Sequence, residues 1–327
     1  MTPIYVARMV CLGLAVTALA TPSVPAQDYP TRPVTIVVPF AAGGGTDMLG
    51  RMVGQKLERR LGKSFLIENK PGAGSTTGAN VAAKAAPDGY TLLMAPSPTM
   101  AVSVTIYKNL PYDPLADFIP LALVAQTPFI LIVNPSLPIH SVQELIKYAK
   151  DNPGKLSYGS AGPGTPHHLY AELFKSMTGI AMSHVPYRGS GPLLNDVVGG
   201  HLPVTFVDVP PAVGVLQTGK VRAIGISTKT RLASFPDIAP VGETVPGFDA
   251  ASWQMLVAPA KTPGPIVDKL HAEVKAILAT SEIKDRIVND GMLLMDNPSV
   301  EALQDFVKSE IVRWGKVVQQ AGLAGTQ

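Results

Sequence analysis

The chain has 327 residues, 46% hydrophobic and 16% charged, with 27 basic against 24 acidic side chains and a formal net charge of +3. No basic run or basic helix face stands out, which argues against a nucleic-acid partner. The single cysteine excludes a disulfide framework and a thiolate metal site. A chain of this length has room for two domains and must be held by its core alone.

The first 26 residues read as an export signal. Arg8 supplies the positive start, residues 9–20 an apolar core too short to span a bilayer, and Val24, Pro25 and Ala26 the small-residue cleavage end. Cys11 precedes most of that core, so it is no lipoprotein cysteine, and it leaves with the signal. The expected mature protein begins near Gln27 and works in the periplasm. The most apolar later stretch, residues 121–133, is broken by Gln126, Thr127 and Pro128.

Residues 34–47, VTIVVPFAAGGGTD, follow. The β-branched run 34–38 predicts a buried parallel strand, ended by Pro39. Gly43, Gly44 and Gly45 permit a tight turn, and Thr46 or Asp47 can cap a helix over 48–62. A strand, glycine turn and helix in this order aim backbone N–H groups and a positive dipole end at one point, which suits a phosphate or carboxylate. Neither Gly-Lys-Ser/Thr nor a spaced GxGxxG follows, so a nucleotide is not indicated.

Further strands are predicted over 65–68, 90–95, 129–133, 156–159, 203–207, 221–226 and 253–258. Helices are predicted from Ser141, with a Ser-x-x-Glu144 capping box, over 165–177, over 192–198 and three times after Pro263. The last carries an apolar stripe of Val300, Leu303, Phe306, Val307, Trp314, Val317 and Val318. The alternation predicts an α/β fold with mostly parallel sheets. Its 30 glycines and 31 prolines exceed the usual ~7% and ~5% but cluster at element ends, as loop chemistry does. Segments 121–134 and 251–259 look like crossings between domains. They imply lobe I over 27–125 and 255–327, lobe II over 126–254, and a ligand in the cleft between.

Four other segments resemble the first turn. Pro96-Ser97-Pro98-Thr99 offers hydroxyls at a strand end. Residues 160–165 lead through Gly162, Gly164 and Thr165 into a helix at His167-His168. Residues 186–191 contain Tyr187 and Arg188, and Asp208 ends a strand. Ligands of open α/β sheets lie beyond such strand ends. Each residue also has a plainer reading: Arg188 as a surface residue, Tyr187 as packing, Asp208 as a cap, Trp253 as core. Adjacent histidines point to different helix faces, and no HExxH exists, so no metal is expected. No nucleophile elbow or paired carboxylates mark a catalytic centre.

With these segments aligned, the chain resembles the periplasmic solute-binding proteins of tripartite tricarboxylate transporters, the Bug family. The carrying residues are YPTRPVTIVVPFAAGGGTD, ENKPGAGSTTGANVAAKAAPDGYTLL, YKNLPYDPLADFIPLALVA, SAGPGTPHHLYAELF, HVPYRGSGPLLNDVVGGHLPVTFVD and WQMLVAPAKTPGPIVDKL. The resemblance spans residues 29–323. It implies a two-lobed, flytrap-like periplasmic-binding-protein fold (type II), two doubly wound lobes joined by two hinge strands, without cofactor or enzymatic activity. It also implies a monomer that passes a small carboxylate to two integral-membrane transporter subunits. A dicarboxylate, tricarboxylate, acidic amino acid or aromatic acid would fit. A sensor subunit for a signalling receptor, or a hydrolase using Ser97 or Ser160, are the alternatives. Carried over, the binding residues are Phe40, Ala41, Ala42, Gly44, Thr46, Asp47, Ser97, Thr99, Gly162, Gly164, Thr165, His167, Tyr187, Arg188 and Asp208. Relatives often have Pro in place of Ala41 and Thr-Ser-Gly in place of Pro96-Ser97-Pro98.

Overall fold

A computed structural model describes residues 28–327; the expected export signal and Cys11 lie outside the described residues. In chain order the elements are β1 (Val34–Val38), α1 (Gly45–Leu61), β2 (Phe65–Asn69), α2 (Thr76–Ala83), β3 (Thr91–Pro96), α3 (Ser103–Ile106), β4 (Phe118–Val133), α4 (Val142–Asp151), β5 (Ser157–Ser160), α5 (Pro166–Thr178), β6 (Ser183–Pro186), α6 (Ser190–Val198), β7 (Val204–Asp208), α7 (Val209–Gln217), β8 (Arg222–Ile226), β9 (Ala251–Pro259), α8 (Gly264–Ala279), α9 (Ser281–Asn289) and α10 (Val300–Gln320).

The strands form one sheet in the order β2-β1-β3-β9-β4-β7-β5-β6, with β8 also pairing β4. Parallel strands β2-β1-β3 build one lobe and β7-β5-β6 the other. The pairings made by β4 and β9 are antiparallel, so the sheet is mixed where the sequence pattern suggested a mostly parallel one. The reason is β4, a strand of 16 residues that serves both lobes. Its residues 118–128 pair with β9, and its residues 129–133 pair with β7 and β8. The apolar run that looked interrupted is therefore one strand. Pro128 is tolerated because it sits where the partners change, and the register with β9 slips beside Pro120.

The other strong expectations hold with small shifts in bounds. Ser141 Oγ accepts from Glu144 N–H, and the Glu144 carboxylate reaches back to His140 N–H at 2.6 Å. On α10, Leu303, Val307, Trp314 and Val318 are buried in the same core as Tyr170, Phe174 and Phe206 of the second lobe. The indole N–H groups of Trp253 and Trp314 both donate to Glu310 Oε2, at 2.6 and 2.8 Å. Trp253 thus fills the core and ties β9 to the C-terminal helix. Helices α2 and α7 and strand β6 carried too little periodicity to be predicted: α2 is rich in Thr, Gly and Asn, and α7 opens on Pro210-Pro211.

Candidate functional site

The strand ends of both lobes meet across a closed cleft. After β1, the glycine turn delivers the chain to α1 with Gly44 as N-cap. The first ladder bond runs from Met48 N–H to the Gly44 carbonyl, so the N–H groups of Gly45, Thr46 and Asp47 have no carbonyl to reach within the helix. They form a donor cluster at the positive end of a helix of 17 residues.

The Asp47 carboxylate turns away from that cluster. It accepts from Gly43 N–H, from Arg51 Nε and Nη2, and from Asn69 Nδ2, all at 3.0 Å. Burial alone would raise its pKa, but the hydrogen bonds from Arg51, Asn69 and Gly43 outweigh it and hold the carboxyl below its ordinary range. What Asp47 can offer an anion is its backbone N–H. Its side chain is the staple that fixes the turn.

Gly45 N–H does have a partner, from the opposite lobe. It donates to Asp208 Oδ2 at 2.6 Å. A Cβ at position 45 would lie 2.8 Å from that oxygen, so the approach requires glycine. The other Asp208 oxygen lies 3.3 Å from His167 Nε2, which is also 3.0 Å from Ser190 Oγ. Burial opposes ionisation of Asp208. The His167 ring, Ser190 and the Gly45 N–H together overcome it and keep the carboxyl below its usual range. The chain's own carboxylate therefore sits on the first donor of the α1 cluster.

The space left beside it is about 20 Å³, room for a single water. Its wall includes Phe40, Gly44, Thr46, His167 and Asp208 from the sequence-derived set. It also includes Gly45, Phe129, Ser190, Ser252 and Gln254, which sequence reasoning missed. Ser190 lay within the 186–191 turn and Gln254 beside Trp253, so position was legible there but contact was not. A second cavity of about 430 Å³ adjoins it, lined by Phe40, the 71–75 loop, residues 161–163, Tyr187 and the exposed Arg188.

The remaining sequence-derived residues play other parts in the geometry. Ala41 N–H donates across the cleft to the Arg188 carbonyl at 3.3 Å. Ala42 lies on the same exposed turn. Ser97 and Thr99 lie one layer behind the cavity, hydrogen-bonded to Ser252 Oγ and Ser75 Oγ, each at 2.8 Å. The Tyr187 hydroxyl donates to Asp196 at 2.7 Å, and that carboxylate helps push its pKa up to about 12, after burial.

Gly162 N–H is taken by Ser160 Oγ at 3.1 Å, Gly164 N–H by His168 Nδ1 at 3.2 Å, and the Thr165 hydroxyl by the Gly162 carbonyl at 2.7 Å. Under this turn, the rings of His168 and His184 stack at 4.3 Å, and His184 Nε2 meets Ser160 Oγ at 2.6 Å. Among the described residues no group of acidic, histidine or cysteine side chains is placed to hold a metal ion. No described helix is long and apolar enough to cross a membrane.

Comparison with known proteins gives the same architecture and a consistent setting. The family model described as tripartite tricarboxylate transporter family receptor matches residues 49–323. BugT of Bordetella pertussis is 32% identical over 312 residues, covering 94% of this chain and 95% of that protein. Rpa4515 of R. palustris, solved with adipate, is 37% identical at a TM-score of 0.88, over 91% of this chain and 99% of that one. MatC of Rhodopseudomonas palustris, solved with malate, is 35% identical at a TM-score of 0.84, over 89% and 100%. The chain therefore belongs to the tripartite tricarboxylate transporter receptor family of periplasmic solute-binding proteins.

Proposed function

We propose that this protein captures a small carboxylate between its lobes, in the periplasm, and hands it to the two membrane subunits of a tripartite transporter. The observation that carries this reading is the carboxylate already seated on Gly45 N–H, with the N–H groups of Thr46 and Asp47 beside it. A ligand carboxylate takes the same seat, and its far end meets His167, Ser190 and Asp208. In this reading lobe II begins at Gln126 on β4 and ends at Gln254 on β9, close to Pro128, where β4 exchanges β9 for β7 and β8. Contacts to both lobes exist only in the closed form, so binding favours closure.

Neutral backbone donors hold the anion without burying a full opposite charge, which keeps release easy. No catalytic step is assigned. Ser160 does face a histidine, but its hydroxyl is fully buried and already accepts from Gly162 N–H. The test is a thermal-shift screen of the exported protein against a broad panel of carboxylates. A saturable rise in melting temperature with no product formed is expected. If no acid raises the melting temperature and none co-purifies, carboxylate capture is wrong.

A further inference from the structure

A cluster of titratable side chains lies under the glycine turn of the second lobe, outside the carboxylate seat. His168 on α5 and His184 on β6 stack their rings at 4.3 Å, and the buried Tyr158 of β5 stacks on His184 at 5.1 Å. Gly164 N–H donates to His168 Nδ1 at 3.2 Å, so that nitrogen carries no proton. His184 Nε2 lies 2.6 Å from Ser160 Oγ, which also accepts from Gly162 N–H at 3.1 Å. The two imidazoles thus hold both bends of the turn over residues 160–165.

The carboxylate that faces the pair is already taken. Glu172 on α5 accepts from Lys175 Nζ at 2.7 Å and from the Tyr158 hydroxyl, and Lys175 lies over the Tyr158 ring. Burial comes first in lowering the pKa of both rings. His184 and Lys175 add to it for His168, Lys175 adds to it for His184, and Glu172 opposes it in each. A proton added to His168 turns Nδ1 into a donor that faces the Gly164 N–H. One added to His184 makes Nε2 a donor that competes with Gly162 N–H for Ser160 Oγ. Either one works against the turn.

This turn is also where the lobes touch. A Cβ at Gly162 would lie 3.5 Å from Gly74 Cα, and one at Gly164 would lie 3.4 Å from Ile106 Cδ1, both in the facing lobe. Resting on the capture reading, we infer that the His168–His184 pair is a proton sensor for release: acid taken up by the pair loosens the turn over 160–165, disfavours the closed form and lowers the affinity for a carboxylate. The linkage is direct, because the closed, liganded form holds the turn in the one shape that excludes the proton.

The test compares the wild type with the double variant His168→Asn and His184→Gln, which keeps an amide where each ring meets the turn and takes up no proton. Calorimetry at about pH 7.5 and about pH 5 uses each acid of the carboxylate panel. Protonation of the acid itself weakens binding equally in both proteins, so the variant subtracts it. Wild-type affinity should fall further than the variant's, by between about threefold and about 30-fold. The upper figure corresponds to a His168 pKa of about 4 in the closed form returning to its ordinary value of about 6.5 in the loosened turn. Hydrogen exchange at the Gly164 amide, corrected for the intrinsic effect of pH, needs no ligand. It should speed up on acidification in the wild type and not in the variant. His168→Asn alone, which keeps the acceptor for Gly164, should give the same contrast in smaller size and serves if the double variant does not fold. Equal losses of affinity in wild type and variant, or a Gly164 amide equally protected at both pH values, overturn the inference and leave carboxylate capture standing. If no acid of the panel binds at either pH, capture and release fall together, while the exchange still decides whether the pair controls the turn.

Discussion

The two jaws of the cleft have nearly the same sequence pattern and opposite chemistry. Each is a strand, a glycine turn and a helix start, residues 34–47 in one lobe and 157–168 in the other. In the first jaw, Asp47 is consumed by Gly43, Arg51 and Asn69, and this leaves the backbone donors of α1 open. In the second, the turn absorbs its own donors: Gly162 N–H goes to Ser160, Gly164 N–H to His168, and the first helical residue is Pro166, which has none. Under the proposed function, one jaw seats the anion and the other is a rigid wall that presents side chains. Glycine turns alone do not make an anion site; what the neighbouring side chains do with the donors decides it.

The largest effect is expected where the jaws have to meet. Gly74 sits at φ +61°, and a Cβ there would lie 1.9 Å from the Pro163 carbonyl oxygen of the opposite lobe. Gly74→Ala should wedge the cleft open and weaken ligand binding by about 100-fold or more, because binding requires the closed form. Calorimetry reads the affinity and small-angle scattering the opening. Unchanged affinity would mean that the lobes do not close along this contact.

Removing the staple of the first jaw comes next. Asp47→Ala removes the acceptor of Gly43 N–H, of Asn69 Nδ2 and of the half-exposed Arg51, and should cost about 1–2 kcal/mol in urea unfolding. It should also weaken carboxylate binding, although the carboxylate it removes touches no ligand. If stability falls but affinity does not, the turn is not what shapes the seat.

Acid should separate the jaws. Burial, and then the neighbouring His184, lower the pKa of His168 to about 4; Glu172 opposes this and Lys175 adds to it, with the Tyr158 ring packed alongside. The unfolded chain takes that proton near its ordinary value of about 6.5. Stability is therefore intact above about 6.5 and declines as pH falls toward 4, by on the order of 3 kcal/mol. Asp47 behaves differently. Its stabilisation is present above the unfolded value of 3.8 and is lost only as pH drops through the lower folded one. His168→Asn should shrink the upper window without abolishing it, because burial also lowers the pKa of the stacked His184, and should leave the Asp47 contribution in place. A wild-type profile flat between 6.5 and 4 would contradict the buried neutral histidine.

The smallest effects should come from Ser97→Ala and Thr99→Ala. Their hydroxyls pair behind the cavity, so each loss should cost about 1 kcal/mol of stability and change affinity less than about twofold. A large affinity loss would put that layer in contact with ligand.

The first jaw was the most legible part of the chain because its signal is local: a β-branched run, a proline stop, three glycines and a cap within residues 34–47. The second turn was legible as a turn, but not as a wall, since its donors are taken by Ser160 and His168 through side-chain geometry that no spacing encodes. Ser190 and Gln254 reach the cavity from α6 and β9, and only folding brings them beside α1. The same holds for the carboxylate at Gly45: Asp208 is 163 residues away along the chain.

By itself the sequence determined most of the α/β elements, the glycine turns, the two crossing segments and the suitability of the first turn for an anion, because these rest on periodicity, backbone freedom and residue chemistry over short spans. Only the tertiary structure decided that 118–133 is one strand shared by both lobes and that the Asp47 side chain is structural. It alone placed Asp208 in the seat and left Gln254 and His167 facing the cavity with atoms unpaired. Those outcomes depend on which distant groups share one buried space, where a donor or charge must find its partner across the fold.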